Sequence, residues 1–244
     1  YDLGLDATNI LKMSGIGCSS KTPAYFLGNA MGLNSTHGRM PSFATGAHIA
    51  NTSMTPIGVS GDGDSASIGM GQFVHILRRN PKMVYIIENN GVYGLTKGQF
   101  SAAADLGSKS KQGEPNLQPP IDPCQTAIAL GGTFVARSFS GDKDQLVPLL
   151  KAGFKHRGFG MIDIISPCVT FNDHEDSTKS YAYTREHFSP VIATDYIPPR
   201  EEIRAKYDEG EAMRVEMHDG SSIVLRKIDK NYDPTDRVSA MTNL

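Results

Sequence analysis

Two short groups of oxygen donors carry the chemistry most open to argument: Gly61-Asp62-Gly63-Asp64, and Asn89-Asn90 with Val92 two residues beyond. Together they suit a magnesium diphosphate. Mg²⁺ takes near-octahedral oxygen ligands and keeps phosphate oxygens and water among them. Asp62 offers a carboxylate, Asn90 a side-chain carbonyl, and Val92 its backbone carbonyl. Gly61 and Gly63 let the chain approach phosphates, and a helix starting after them favours negative charge. A lone GDGD is weak, because Asp-Gly pairs are common in strand-to-helix turns. An EF-hand fails, since no acidic ligands follow at the alternate positions it needs. The informative pattern is the pair of groups taken jointly.

The elements around them are those of an α/β domain. Apolar runs at Ile10–Met13, Pro56–Ser60, Met83–Ile87, Thr133–Arg137 and Met161–Ile165 read as strands. Between them, Pro41–Asn51, Cys124–Leu130 and Asp144–His156 read as helices. Ala66, Met70, Phe73, Val74 and Leu77 repeat at helical spacing, with Arg78–Pro81 as the stop. This alternation predicts a mostly parallel sheet with helices on both faces. Both donor groups then emerge at the carboxyl edge of the sheet, where such folds bind ligands. A Gly-, Pro- and Gln-rich loop spans 107–123.

After about Pro190 the character changes. Glu211–Met217 and Ser222–Ile228 flank His218-Asp-Gly-Ser221, which predicts a hairpin turning at Asp-Gly. The expected division is a cofactor domain over 1–190 and a partner-contacting arm over 191–244.

With 244 residues and a net charge of −2, the chain has the size of one large domain and gives no reason to expect nucleic acid. Its apolar runs are too short to span a bilayer, and its first residues do not read as a signal peptide, so none is expected. Cys18, Cys124 and Cys168 make no disulfide framework, so the default compartment is reducing, hence the cytoplasm.

The chain at large resembles a family. Ser14-Gly-Ile-Gly-Cys-Ser-Ser-Lys-Thr-Pro23, His37-Gly-Arg39, Phe43-Ala-Thr-Gly46, Gly91-Val-Tyr-Gly-Leu-Thr-Lys-Gly-Gln99 and Ser166-Pro-Cys-Val-Thr170 look like the β subunits of 2-oxoacid:ferredoxin oxidoreductases. Tyr232-Asp-Pro-Thr-Asp-Arg237 resembles the 2-oxoglutarate branch. The resemblance implies coenzyme A-dependent oxidative decarboxylation, run in either direction, with electrons passed through a [4Fe–4S] cluster to ferredoxin. It implies thiamine diphosphate against Ile16, Gly17, Cys18, Ser19, His37, Gly61, Gly63, Asp64, Gly94, Leu95 and Thr96. It implies Mg²⁺ on Asp62, Asn90 and the Val92 carbonyl. Lys21 and Lys97 would meet substrate carboxylates, Leu95 would wall the substrate pocket, and His37 would stand near the cofactor.

Cys18 and Cys168 match two of the family's four cluster cysteines. The CxxC that supplies the other pair is absent, and the expectation is that it lay upstream of Tyr1. Cys124 is expected in the core. No second α/β domain is evident, so a partner α subunit is expected to bring the glutamate that thiamine chemistry needs. Two alternatives stand beside this reading. One is a non-oxidative thiamine decarboxylase or carboligase subunit; the other is a non-catalytic subunit that binds Mg²⁺ and phosphate for assembly.

Overall fold

Strands buried on both faces carry near-continuous apolar runs, and Met83–Ile87 is one such run here. The computed structural model describes residues 2–110, 112–187, 205–208, 210–216, 222–226, 233 and 235–242. Its regular elements begin with β1 (Ile10–Ser14), β2 (Met31–Asn34), α1 (Met40–Ala50), β3 (Thr55–Gly61), α2 (Met70–Arg79) and β4 (Met83–Asn89). A two-residue pair follows, β5 (Val92–Tyr93) and β6 (Gln99–Phe100), then α3 (Pro123–Ala129), β7 (Phe134–Phe139), α4 (Lys143–Lys155) and β8 (Phe159–Ile165). The chain continues through α5 (Tyr181–His187), β9 (Ala212–Glu216), β10 (Ser222–Arg226) and α6 (Arg237–Thr242).

Six strands form one parallel sheet in the order β2-β1-β3-β4-β8-β7. In β4 the side chains alternate between two cores. Met83, Tyr85 and Ile87 join α1, α2 and α3 through Met40, Phe73, Ile76 and Cys124. Val84 and Ile86 join the opposite layer, with Leu146, Leu150 and Phe154 of α4. Helices therefore cover both faces, as the alternation predicts, and Cys124 is in the core.

Local chemistry sets the ends. Asp122 and Asp142 accept backbone N–H bonds at the starts of α3 and α4. Asn80 closes α2 in the left-handed region at φ 49°.

Three features depart from the sequence expectation. The helix after Gly61-Asp62-Gly63-Asp64 does not begin as an α-helix. Gly63–Ile68 is a wider π-helical turn, and α2 proper begins at Met70. β2 was not foreseen: only four residues long, it carries just two apolar side chains, Met31 and Leu33, and all four of its residues are exposed. β4 runs two residues past Ile87, so Glu88 and Asn89 belong to the strand.

The predicted hairpin strands pair antiparallel as β9 and β10. Its turn, 217–221, and the proposed domain boundary near Pro190 lie outside the described residues. Beyond the hairpin, Arg237 donates from Nη1 to the Ala129 carbonyl (2.7 Å), tying α6 to α3. Among the described residues, no helix is long and apolar enough to cross a membrane.

Candidate functional site

The strand order reverses between β1 and β3, with β2 on one side and β4 on the other. Connections leaving such a point diverge and open a crevice at the carboxyl edge. Here it is a cleft of about 380 Å³. Its walls include Ile16, Gly17, Cys18 and Ser19 after β1, His37 after β2, and Gly61, Asp62, Gly63 and Asp64 after β3. Asn90, Val92, Gly94, Leu95 and Thr96 close it from the β4 side, and Cys168 from beyond β8. A roomier depression of about 580 Å³ beside Leu106 and His174 gathers none of the nominated donors.

Lys21 and Lys97 are the two nominated residues that do not line the cleft. Both are exposed, on loops beside it. Lys97 holds φ 81°, a left-handed conformation that costs a side-chain-bearing residue of order 1–3 kcal/mol. The Gly94–Gly98 turn imposes it, through Lys97 N–H to the Gly94 carbonyl (3.1 Å) and Gly98 N–H to the Tyr93 carbonyl (2.9 Å).

Asp62 is buried, and its carboxyl pKa is pushed up to about 6, chiefly by loss of solvent. Ser101 Oγ donates to one carboxylate oxygen, and Asn90 N–H to the other (3.3 Å). Asn90 Oδ1 accepts from Val92 N–H (3.0 Å), which fixes the side chain and leaves a second lone pair. Asn172 Nδ2 donates to the Asn90 carbonyl (2.8 Å), bracing that turn from the loop after Cys168. Ser19 Oγ lines the cleft, is buried, and has no partner among the described residues. A buried carboxylate without a cation and an orphaned hydroxyl both fit a magnesium diphosphate. No group of three His, Cys, Asp or Glu side chains is placed to hold a metal among the described residues.

The glycine at 63 has a reason the sequence did not offer. A Cβ there would lie 2.5 Å from the Tyr93 ring, and Tyr93 OH donates to the Gly63 carbonyl (3.0 Å). Gly63→Ala should therefore displace Tyr93 and cost about 1–3 kcal/mol by overpacking. In urea unfolding, the added change Tyr93→Ala should return part of that loss.

Gly94 lies between the two nominated thiols. A Cβ on it would be 3.4 Å from Cys18 Sγ and 3.5 Å from Cys168 Sγ. The sulfurs are thus no farther apart than the sum of those distances, at the rim of the same cleft.

Sequence reasoning missed Ser101, Asn172 and Glu88. Glu88 lines the cleft and accepts from Thr22 Oγ1 (2.7 Å), and burial raises its pKa. Only its place at the end of an apolar run, beside Asn89-Asn90, could have flagged it.

Residues 15–164 match the family described as thiamine pyrophosphate enzyme, C-terminal TPP binding domain. The β subunit of a 2-oxoacid:ferredoxin oxidoreductase from a Sulfolobus species is 38% identical over 238 residues, covering 97% of this chain and 72% of that one. This chain belongs to that β-subunit family. The corresponding subunit from Saccharolobus solfataricus is 45% identical over 181 residues, 74% of this chain, and the match spans only 59% of that relative's length. Among solved structures, the 2-oxoglutarate:ferredoxin oxidoreductase of Magnetococcus marinus, with 2-oxoglutarate, coenzyme A and succinyl-CoA bound, superposes with a TM-score of 0.70. It is 31% identical, over 84% of this chain and 66% of that one. The family resemblance and the thiamine-diphosphate-binding α/β fold expected from the sequence are both borne out.

Proposed function

We propose that this chain is the cofactor-binding β subunit of a coenzyme A-dependent oxidoreductase that decarboxylates a 2-oxo acid, with 2-oxoglutarate as the first candidate. The observation that carries this reading is the pair of thiols, Cys18 and Cys168, flanking Gly94 at the rim of the cleft that holds Asp62, Asn90 and the unpartnered Ser19. A thiamine decarboxylase or carboligase has no use for thiols at that rim. A non-catalytic subunit that binds Mg²⁺ and phosphate would use the carboxylate equally, but it has no use for the two thiols.

Asp62, Asn90 and the Val92 carbonyl would hold Mg²⁺. Ser19, His37 and the backbone of Gly61, Gly63, Gly94 and Thr96 would surround the cofactor. Bound thiamine diphosphate supplies the electron sink for decarboxylation, and a [4Fe–4S] cluster the acceptor for the electrons. Cys18 and Cys168 would give that cluster two of its four thiolates, the others coming from outside these residues. Cys124, fully buried on α3, is not a candidate.

This chain's own task is position and charge. Ile16 and Leu95 would form an apolar wall that keeps water from the reacting carbon. Lys21 and Lys97, exposed beside the cleft, would meet substrate carboxylates once an α subunit closes over them. That partner would add the glutamate facing the aminopyrimidine, and ferredoxin would take electrons from the cluster. The 191–244 arm, with Val224 and Val238 exposed, would contact a partner. Three free cysteines suit the reducing cytoplasm.

The test is viologen or ferredoxin reduction by the chain co-produced with its α subunit, given thiamine diphosphate, Mg²⁺ and coenzyme A. Reduction that requires coenzyme A and favours 2-oxoglutarate over pyruvate is the expected result. Decarboxylation without reduction would promote the carboligase alternative.

A further inference from the structure

Asp64 is nominated above as one of the residues around the cofactor, yet its carboxylate is already committed to the protein. Gly38 N–H (2.7 Å) and Ile16 N–H (3.4 Å) donate to Oδ1, and Ser60 Oγ donates to Oδ2. His37 Nδ1 also bonds to Oδ1. The side chain is only 2% exposed. Space is made for it from several sides. A Cβ on Gly15 would lie 1.8 Å from Asp64 Oδ2, and Gly38 turns beside it at φ +70°. Three loops, after β1, β2 and β3, thus converge on one carboxylate.

We propose that Asp64 is a positioning residue, acting on the cofactor through His37. An ionised carboxylate only accepts hydrogen bonds. Its backbone partners are obligate donors, so the histidine nitrogen that meets the same oxygen carries a proton as well. That fixes the ring with Nδ1–H toward Asp64 and leaves Nε2 as the atom open to a ligand in the cleft. The ring is further held edge-on to Tyr93, with centroids 6.2 Å apart. A carboxylate behind a histidine sets its tautomer and orientation. Behind metal-bound histidines, losing such a partner costs about 10–100-fold in affinity or activity, and a loss of that order is expected here. The inference rests on the reading that this cleft takes thiamine diphosphate.

The experiment is a double-mutant cycle on the chain assembled with its α subunit. Thiamine diphosphate affinity is measured at saturating Mg²⁺ for wild type, Asp64→Asn, His37→Ala and the double variant. Asp64→Asn should weaken binding about 10–100-fold in the parent. In the His37→Ala background the same change should add little. An equal loss in both backgrounds would overturn the proposal and make Asp64 a scaffold residue alone.

Because Asp64 ties three loops, the variant could fail to fold, and ¹⁵N NMR of the wild-type histidines then decides. Nδ1–H on His37 supports the proposal; an Nε2–H tautomer overturns it. If the wild type binds no thiamine diphosphate, the cofactor reading fails, while the tautomer still tests the Asp64–His37 pair.

Discussion

Asp62→Asn should abolish magnesium-dependent binding of thiamine diphosphate, yet leave the cofactor-free chain more stable at neutral pH. Both effects follow from one buried carboxylate. Loss of solvent raises its pKa from 3.8 to about 6, against the hydrogen bonds from Ser101 and Asn90, which act to lower it. A folded-state pKa above the unfolded one means that ionisation costs native stability. That cost is absent below about pH 3.8, grows as pH rises, and is complete above about pH 6. At about 1.4 kcal/mol per unit it amounts to about 3 kcal/mol.

A bound cation would remove the cost, which is how a site is held ready for a metal. Asparagine keeps the shape, accepts from Asn90 N–H, and can donate to Ser101 Oγ, but it offers no charge. Urea titrations from about pH 5 to neutrality should show Asp62→Asn losing less stability than the wild type, Glu88 and Asp163 contributing alike to both. Calorimetry should show binding for the wild type only. Retained binding in Asp62→Asn would remove this carboxylate from the Mg²⁺ shell.

Much of this site was legible because its donors fall in two local strings at the ends of apolar runs. The run through Met83–Ile87 marks a strand buried on both faces, and the loops that follow such strands go to the carboxyl edge. The bonds that hold those donors in place were not legible. Ser101 reaches Asp62 across 39 positions, Asn172 reaches Asn90 across 82, and His37 reaches Asp64 across 27. No periodicity records a contact made by loop closure. The π-helical turn after Asp62 was hidden for a similar reason. Its end packs against the loop after β2, where a Cβ on Gly69 would lie 2.9 Å from the Gly38 carbonyl oxygen. Lys21 and Lys97 were nominated from motif position, and both are exposed beside the cleft rather than in its lining.

Arg137→Met should destabilise the chain by about 3–5 kcal/mol at neutral pH, the usual consequence of stranding a buried charge. Arg137 Nε donates to Asp163 (2.9 Å), which is fully buried in β8, and Nη2 to Asp122 (2.6 Å), the cap of α3. Burial raises the Asp163 pKa even with the guanidinium present. Without it, among the described residues, the carboxylate keeps Asn89 Nδ2, which donates to its two oxygens at 3.1 and 3.4 Å. The folded-state pKa of Asp163 would then climb further, so the penalty is largest at neutral pH and shrinks on acidification, as Asp163 takes up a proton. Unfolding free energies measured at both ends of that range check the sign. A loss that does not change with pH would assign the role of Arg137 to packing. Adding Asp163→Asn should return much of the stability, because it removes the stranded charge. Asn89 precedes Asn90, so the single variant should also weaken Mg²⁺-dependent cofactor binding, linking the ion pair beneath the sheet edge to the site above it.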